Sequence, residues 1–175
     1  MNPIRGLVVL PLLCAACLSP QPAAPAARVF DPRPAMSPPK GKSGPLVRVE
    51  APAHLGVEFV LRTAADEVVF DGEHRWVMPP AELVVATLQR RLGAPPVPRL
   101  ETAREALELH LVLDRFELDV AGEPKARIVV FARPSDGWRL EPITVECPAR
   151  DRSPEALAAA MQQALLAVGR WAGGD

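Results

Sequence analysis

The chain lacks most of what marks enzymes and nucleic-acid binders. Its net charge is −1, from 20 basic and 21 acidic residues, so there is no basic excess from which to build a nucleic-acid-binding stripe. Its three histidines, His54, His74 and His110, are scattered, and no His-Glu-x-x-His spacing offers a metal site. A Gly-x-Ser-x-Gly nucleophile elbow is missing. Gly41-Lys42-Ser43 is a fragment of a phosphate-cradling loop, without the first glycine or the preceding strand. No cofactor is implied. Asp114 with Glu117, and Asp66 with Glu67, are the candidate carboxylate pairs. They fall at an expected bulge and an expected turn, where charges form solvated faces, and they do not read as catalytic. Cysteine is scarce as well. Cys14 and Cys17 belong to the N-terminal segment, so Cys147 is left alone and cannot close an intramolecular disulfide. It reads as a strand-end thiol with no setting that would lower its pKa.

Long apolar runs are also missing. The one near the start, Gly6 to Leu13, is too short for a permanent spanning helix, which needs roughly 20 residues. With Arg5 before it and small residues after it, the run has the layout of a signal-peptide core. Leu10-Pro11-Leu12-Leu13-Cys14-Ala15-Ala16-Cys17 looks like a bacterial lipoprotein signal. Cleavage is expected between Ala16 and Cys17, with Cys17 lipidated on sulfur as the first mature residue. A thiol is the nucleophile that can take a lipid as a stable thioether, and Ala15 and Ala16 let a peptidase approach. Cys14 is the lesser candidate because bulky Leu13 precedes it. An ordinary secretory signal with a bystander cysteine is the plainer alternative. Each buried methylene contributes about 0.8 kcal/mol, so several acyl chains on one residue would hold the chain on a bilayer durably.

Proline is what the chain has in excess, 21 residues in all. Residues 17–45 combine the lipid-bearing cysteine with a segment rich in Pro, Ala, Ser and Gly. Proline at that density opposes both helix and ladder, leaving a semi-stiff tether that reaches roughly 80 Å at about 3.1 Å per residue. Arg28-Val29-Phe30-Asp31 is its one patch able to pair as a strand; an unstructured linker is the competing reading.

A single domain is expected over residues 46–172. Leu46 to Glu50 alternates as a strand, and Pro52 to Gly56 breaks it. Strands at 57–63 and 66–71 follow. With Ala64-Ala65 as the turn, Phe59 faces Phe70, Leu61 faces Val68, and Arg62 sits opposite Glu67 as an ion pair. Ala-Ala is a poor hairpin turn, so a bulge or longer tip would shift that pairing. Pro79-Pro80-Ala81-Glu82 starts a helix that ends at Leu92 before Gly93, with Ala81, Val84, Val85, Leu88 and Leu92 as its apolar stripe. Residues 106–120 form a long strand whose alternation changes phase between Leu113 and Phe116. That slip requires an inserted residue, placing a bulge near Asp114-Arg115. Strands over 125–133 and 138–147 come next, joined by a turn at Ser135-Asp136-Gly137, with Pro142 marking an edge or bulge. Ser153-Pro154-Glu155 caps a last helix with Leu157, Ala160, Met161, Ala164, Leu165, Val168 and Trp171 on one face. Residues 173–175 read as a frayed tail. The expectation is an α+β, two-layer fold. Its mixed, mostly antiparallel sheet of five or six strands carries two amphipathic helices.

The stretch from Val47 to Leu92 resembles a known family. Val47-Arg48-Val49-Glu50-Ala51-Pro52-Ala53-His54-Leu55, then Phe59-Val60-Leu61-Arg62-Thr63, then Arg75-Trp76-Val77-Met78-Pro79-Pro80-Ala81-Glu82-Leu83 is similar to the ABC-type transport auxiliary lipoproteins, the PqiC/YmbA-like family. The strand Leu109 to Glu117 and the closing helix with Trp171 fit it too. The chain departs in having no tyrosine where that family often carries a Tyr-Tyr strand; Val29-Phe30 stands there instead.

The resemblance implies a non-catalytic lipoprotein on the periplasmic face of the outer membrane. There it would serve an MCE-type intermembrane lipid transport system with an MCE-domain protein as partner. Leu18 and Ser19 after the lipidated cysteine, with no Asp, suit outer-membrane sorting; the inner membrane is the lesser alternative. The bilayer is met through Cys17, and a homo-oligomer is compatible with this layout. Arg62, Arg75, Trp76 and Pro79 are the motif residues and the candidates for a docking surface. For Trp76 and Arg62 the structural reading is preferred, with Trp76 closing the core and Arg62 paired with Glu67 or Asp71. A rival function is an outer-membrane assembly lipoprotein supporting a β-barrel, similar in layout to the lipopolysaccharide-assembly accessory. A hydrolase is the weakest reading.

Overall fold

The computed structural model describes residues 26–37, 44–93, 108–133 and 142–174. Seven strands form one sheet: β1 (Arg28–Phe30), β2 (Leu46–Glu50), β3 (Glu58–Ala64), β4 (Glu67–Trp76), β5 (Glu108–Asp119), β6 (Lys125–Ala132) and β7 (Ile143–Pro148). Helices α1 (Pro80–Leu92) and α2 (Pro154–Gly173) lie side by side on one face. The fold is α+β as expected, with a slightly larger sheet. Its order is β1-β4-β3-β5-β6-β7, while β2 pairs with β5. The antiparallel pairings are β3–β4, β5–β6 and β6–β7, and they carry most of the ladder.

β5 is the strand on which the sheet depends. One edge pairs with β6 along most of its length. The other edge receives β2 beside Glu108 to Val112 and then β3 beside Leu118 and Asp119, both parallel to it. β2 and β3 are therefore one interrupted strand, broken where Pro52 denies the ladder an N–H. The expected bulge in β5 is present: Leu113 pairs with Val130 and Arg115 with Val129, which leaves Asp114 as the extra residue. Leu111 and Leu113 before it, and Phe116 and Leu118 after it, all face the helices and are buried. The phase slip in the sequence is thus absorbed by one residue, as period-two geometry demands.

Both helices end as their sequences dictate. Pro80 occupies the first turn of α1, and Gly93 closes it in the left-handed region at φ 70°, its N–H donating to Gln89 O. In α2, Ser153 Oγ accepts the Ala156 N–H at 3.3 Å. The α2 stripe is the expected one, with Trp171 half-buried. α1 is rotated slightly from expectation: Leu83 and Thr87 are inside with Val84 and Leu88. The Thr87 hydroxyl is satisfied by donating to Leu83 O at 2.8 Å. Helix α2 also continues through Gly173, with Gly174 as its left-handed cap, so the C-terminal end is helical where fraying was expected.

Of the two readings of Arg28 to Asp31, the strand is the one present: β1 pairs in parallel with β4 (Arg28 to His74, Phe30 to Trp76). Phe30 then packs on Phe59 with ring centroids 5.3 Å apart. One further expectation is corrected: the hairpin register is shifted. The turn sits at Ala65-Asp66 and Thr63 is bulged, so Val60 faces Phe70, Leu61 faces Val69, and Arg62 faces Val68. A one-residue slip moves every side chain to the other face. Phe70 and Val68, expected beside the core residues Phe59 and Leu61, lie with Val60 and Arg62 on the face away from the helices. The turn at Ser135-Asp136-Gly137, the strand start at Trp138, and Cys14 and Cys17 lie outside the described residues.

Candidate functional site

The motif residues come together around the β3–β4 pair, and most of them are occupied internally. Trp76, the last residue of β4, is buried. Its ring stacks on Phe59 at 4.0 Å between centroids and meets Phe116 edge-on at 5.6 Å. Its backbone N–H donates to Val57 O at 2.6 Å. The indole Nε1 has no acceptor among the described residues. Such a group costs about 1–3 kcal/mol, which burial of so large a ring offsets. Pro79 is the N-cap of α1 and sets the chain's entry into the helix. Arg75 is exposed and lies 4.0 Å from Glu58 across the strand pair.

Arg62 does not pair with Glu67 or Asp71. Its Nε and Nη2 donate to the two carboxylate oxygens of Glu117 at 2.9 and 2.8 Å, and its Nη1 donates to Ala65 O at 2.7 Å. The hydrogen bonds to Glu117 raise the guanidinium pKa, against the opposing effect of burial. Glu67 instead accepts from the Thr63 hydroxyl at 2.8 Å. Glu117 is one of two buried polar residues among those described and has two further cations near it, Arg115 at 3.7 Å and Arg127 at 3.9 Å. Arg127 in turn reaches Glu146 at 3.3 Å, and Lys125 reaches Glu146 at 2.9 Å. The hydrogen bond between Lys125 and Glu146 raises the amine pKa and lowers the carboxyl pKa.

This network covers the helix-free face of the sheet where β2 gives way to β3. A cavity of about 240 Å³ lies there, lined by His54, Leu55, Val60, Arg62, Arg115 and Glu117 among others. Between Val112 and Leu118, β5 has no strand partner on that edge among the described residues. Long-range charge pairing thus closes a gap that the backbone ladder leaves open.

The histidines are dispersed, as the sequence suggested. His110 Nε2 lies 3.0 Å from Glu50 Oε1 on the helix-free face. His74 Nδ1 lies 2.6 Å from Asp71 Oδ2. Burial works to raise the Asp71 pKa, but hydrogen bonds from His74 and the Glu73 N–H outweigh it and the net shift is downward. No cluster of three metal-ligating side chains occurs among the described residues. Cys147 is a free thiol whose pKa is raised by burial, which makes it a poorer nucleophile than an exposed cysteine. Of the candidate carboxylates, Glu117 is engaged by Arg62, and Asp114 lies 3.5 Å from Arg115.

What the sequence reading missed is the exposed half of the hairpin. Val68, Val69 and Phe70 are 42%, 44% and 49% exposed. β1 pairs only with His74 to Trp76, so the outer edge of β4 from Glu67 to Asp71 carries no strand among the described residues. The signal was present: three consecutive apolar residues in a strand put side chains on both faces, and only one face of this sheet carries helices. A second surface feature is a groove of about 400 Å³ beside the start of α2, lined by Pro148, Arg150, Glu155, Ala156, Ala159 and Gln163 among others.

Known proteins support this fold. A crystal structure of protein XCC0632 from Xanthomonas campestris, described with family DUF330, is similar at TM-score 0.61 and 21% identity, covering 83% of this chain and 92% of that one. A crystal structure of an uncharacterized protein is similar at TM-score 0.62 and 14% identity, covering 85% and 98%. Among curated proteins, none matches significantly. No helix among the described residues is long and apolar enough to cross a membrane. The family model for the ABC-type transport auxiliary lipoprotein component matches residues 30–171, from β1 to the last turn of α2. The chain belongs to the ABC-type transport auxiliary lipoprotein family.

Proposed function

We propose that this protein is lipidated at Cys17 and anchored on the periplasmic face of the outer membrane, where it docks on the MCE-domain protein of an ABC-type lipid transport system. It acts by binding and not by catalysis. The observation that carries this reading is the hairpin tip: Val68, Val69 and Phe70 are large apolar side chains, exposed at a strand edge that carries no partner strand among the described residues. Exposed apolar patches on a folded surface mark interaction sites. The Arg62 and Trp76 motif residues support the docking element from within, since both are spent on contacts inside the fold. The proline-rich segment before β1 would hold the body away from the bilayer.

Metabolic labelling with a fatty acid, followed by mild-detergent purification from cells expressing the whole transport system, tests the reading. The expected result is a labelled mature protein that recovers the MCE protein, with label and membrane attachment both lost in Cys17→Ser. An unlabelled product, or recovery of an outer-membrane β-barrel in place of the MCE protein, would overturn it.

A further inference from the structure

We infer that the outer edge of β4 from Glu67 to Asp71 is a strand-addition site for an extended segment of a partner protein, one with apolar residues flanked by lysine or arginine. The inference rests on the docking reading above and names the chemistry of what docks.

β1 runs parallel to β4 and pairs only with His74 to Trp76, which leaves the outer edge from Glu67 to Asp71 without a strand among the described residues. β4 itself is also interrupted. Glu58 pairs with Arg75 and Phe59 with Asp71, so Gly72, Glu73 and His74 bulge out of the β3–β4 ladder. Asp71 fixes that bulge by accepting the Glu73 N–H at 2.8 Å and by its contact with His74. Beyond the bulge lie five strand residues, Glu67 to Asp71, of which Val68 to Asp71 pair with β3 in unbroken register, close to the usual strand length of about 5–6.

Such edges are normally protected by charged side chains, proline, bulges or a covering element. This one has a carboxylate at each end and a bulge beyond Asp71, but no lysine, no proline and no covering element among the described residues. Val68 and Phe70 project on the helix-free face and Val69 on the other, and all three are exposed. An added strand would gain main-chain hydrogen bonds along its length and side-chain contacts on both faces, the recognition mode of β-augmentation.

Charge selects the occupant. The five residues begin with Glu67 and end with Asp71, and exposed Asp66 precedes them. A second copy paired antiparallel about Val69 would set Glu67 against Asp71 twice, with like charges directly opposed. Asp71 keeps its charge to lower pH than an ordinary carboxylate, which maintains that repulsion. A foreign strand with cations opposite those two positions and apolar residues between them meets no such penalty. The edge is thus biased against self-association and toward a basic-flanked partner.

The probe is the blocked pentapeptide acetyl-Lys-Val-Val-Val-Lys-amide, whose palindromic sequence matches the edge in either direction. It is added to the full mature lipoprotein in detergent micelles, with residue-resolved amide hydrogen exchange as the readout. We expect saturable binding and about tenfold slower exchange confined to residues 67–71. The same peptide N-methylated at its valines should give no protection, because it cannot complete a ladder. Glutamates in place of its lysines, or Val69→Lys in the protein, should each weaken binding about tenfold, or 1.4 kcal/mol. No saturation by ~1 mM, the weak end of measurable affinity, would overturn the inference. So would protection centred on α2, or an N-methylated peptide that binds equally well. If the peptide fails while the MCE protein still co-purifies, the edge is wrong and the docking function stands.

Discussion

At the base of the β3–β4 hairpin, Phe59 and Trp76 are 1% and 2% exposed, while toward its tip Val68, Val69 and Phe70 are 42–49% exposed. The two regions belong to the same pair of strands and are similarly apolar. What differs is their surroundings. The base has β1 on its outer edge, and its aromatic residues pack on Phe30 and Phe116. The tip has passed the bulge at residues 72–74 and has neither a strand on its outer edge nor helices over it among the described residues. Apolar content alone does not make a core; neighbours on the edge and on the face do. The base therefore belongs to stability, and the tip is the part to which we assign docking.

Substitutions at the two ends should separate these roles. Trp76→Ala removes the ring between Phe59 and Phe116 and should cost about 3–5 kcal/mol in a urea unfolding titration. A loss below about 1 kcal/mol would mean that the aromatic corner is not the structural base. Glu117→Gln is next. It leaves the Arg62 guanidinium short of its counter-charge in a mostly buried site and should destabilise by about 3 kcal/mol. Arg62→Met combined with Glu117→Leu should recover to within about 1 kcal/mol of the parent, because both charges leave together.

The third effect depends on pH. Asp151 accepts from the Ser153 hydroxyl and from the Ser153 N–H, ahead of α2, and these bonds lower its carboxyl pKa to about 2. A folded-state pKa below the unfolded value means that the stabilisation is complete above about pH 4. It is then lost as the pH falls through about 2. Asp151→Asn should therefore flatten the acid limb of the stability curve between those values, as read by thermal melts at stepped pH. An unchanged limb would remove Asp151 from the account. The smallest effect belongs to the tip: Phe70→Ser should leave stability within about 0.5 kcal/mol in the same urea titration. A larger loss would mean that the tip is covered and is part of the core.

Much of this architecture was legible in the sequence where periodicity and punctuation act locally. The β5 bulge followed from leucines on one phase and Phe116 and Leu118 on the other. Helix α2 followed from Ser153, Pro154 and a continuous apolar stripe. The hairpin register was not legible, because Ala64-Ala65 is neither a strong turn nor a clear non-turn. A bulge at Thr63 moved the tip by one residue and reversed the facing of Val68 and Phe70. The Arg62 partner was hidden for a different reason. Glu117 is 55 residues away in the chain, and no local pattern predicts a pairing set by the meeting of β3 with β5. Trp76 as a core residue was foreseeable from its place before a helix start. The strand-free edge among the described residues depended on knowing that β1 pairs with β4 only from His74 to Trp76.

The comparison of base and tip is tested most directly by site-specific photo-crosslinking in membranes that contain the whole transport system. A photoreactive amino acid is placed at Phe70, or at the exposed Ala159 beside the α2 groove. The account predicts a crosslink to the MCE protein from position 70 and none from 159. Capture from 159 with none from 70 would contradict it.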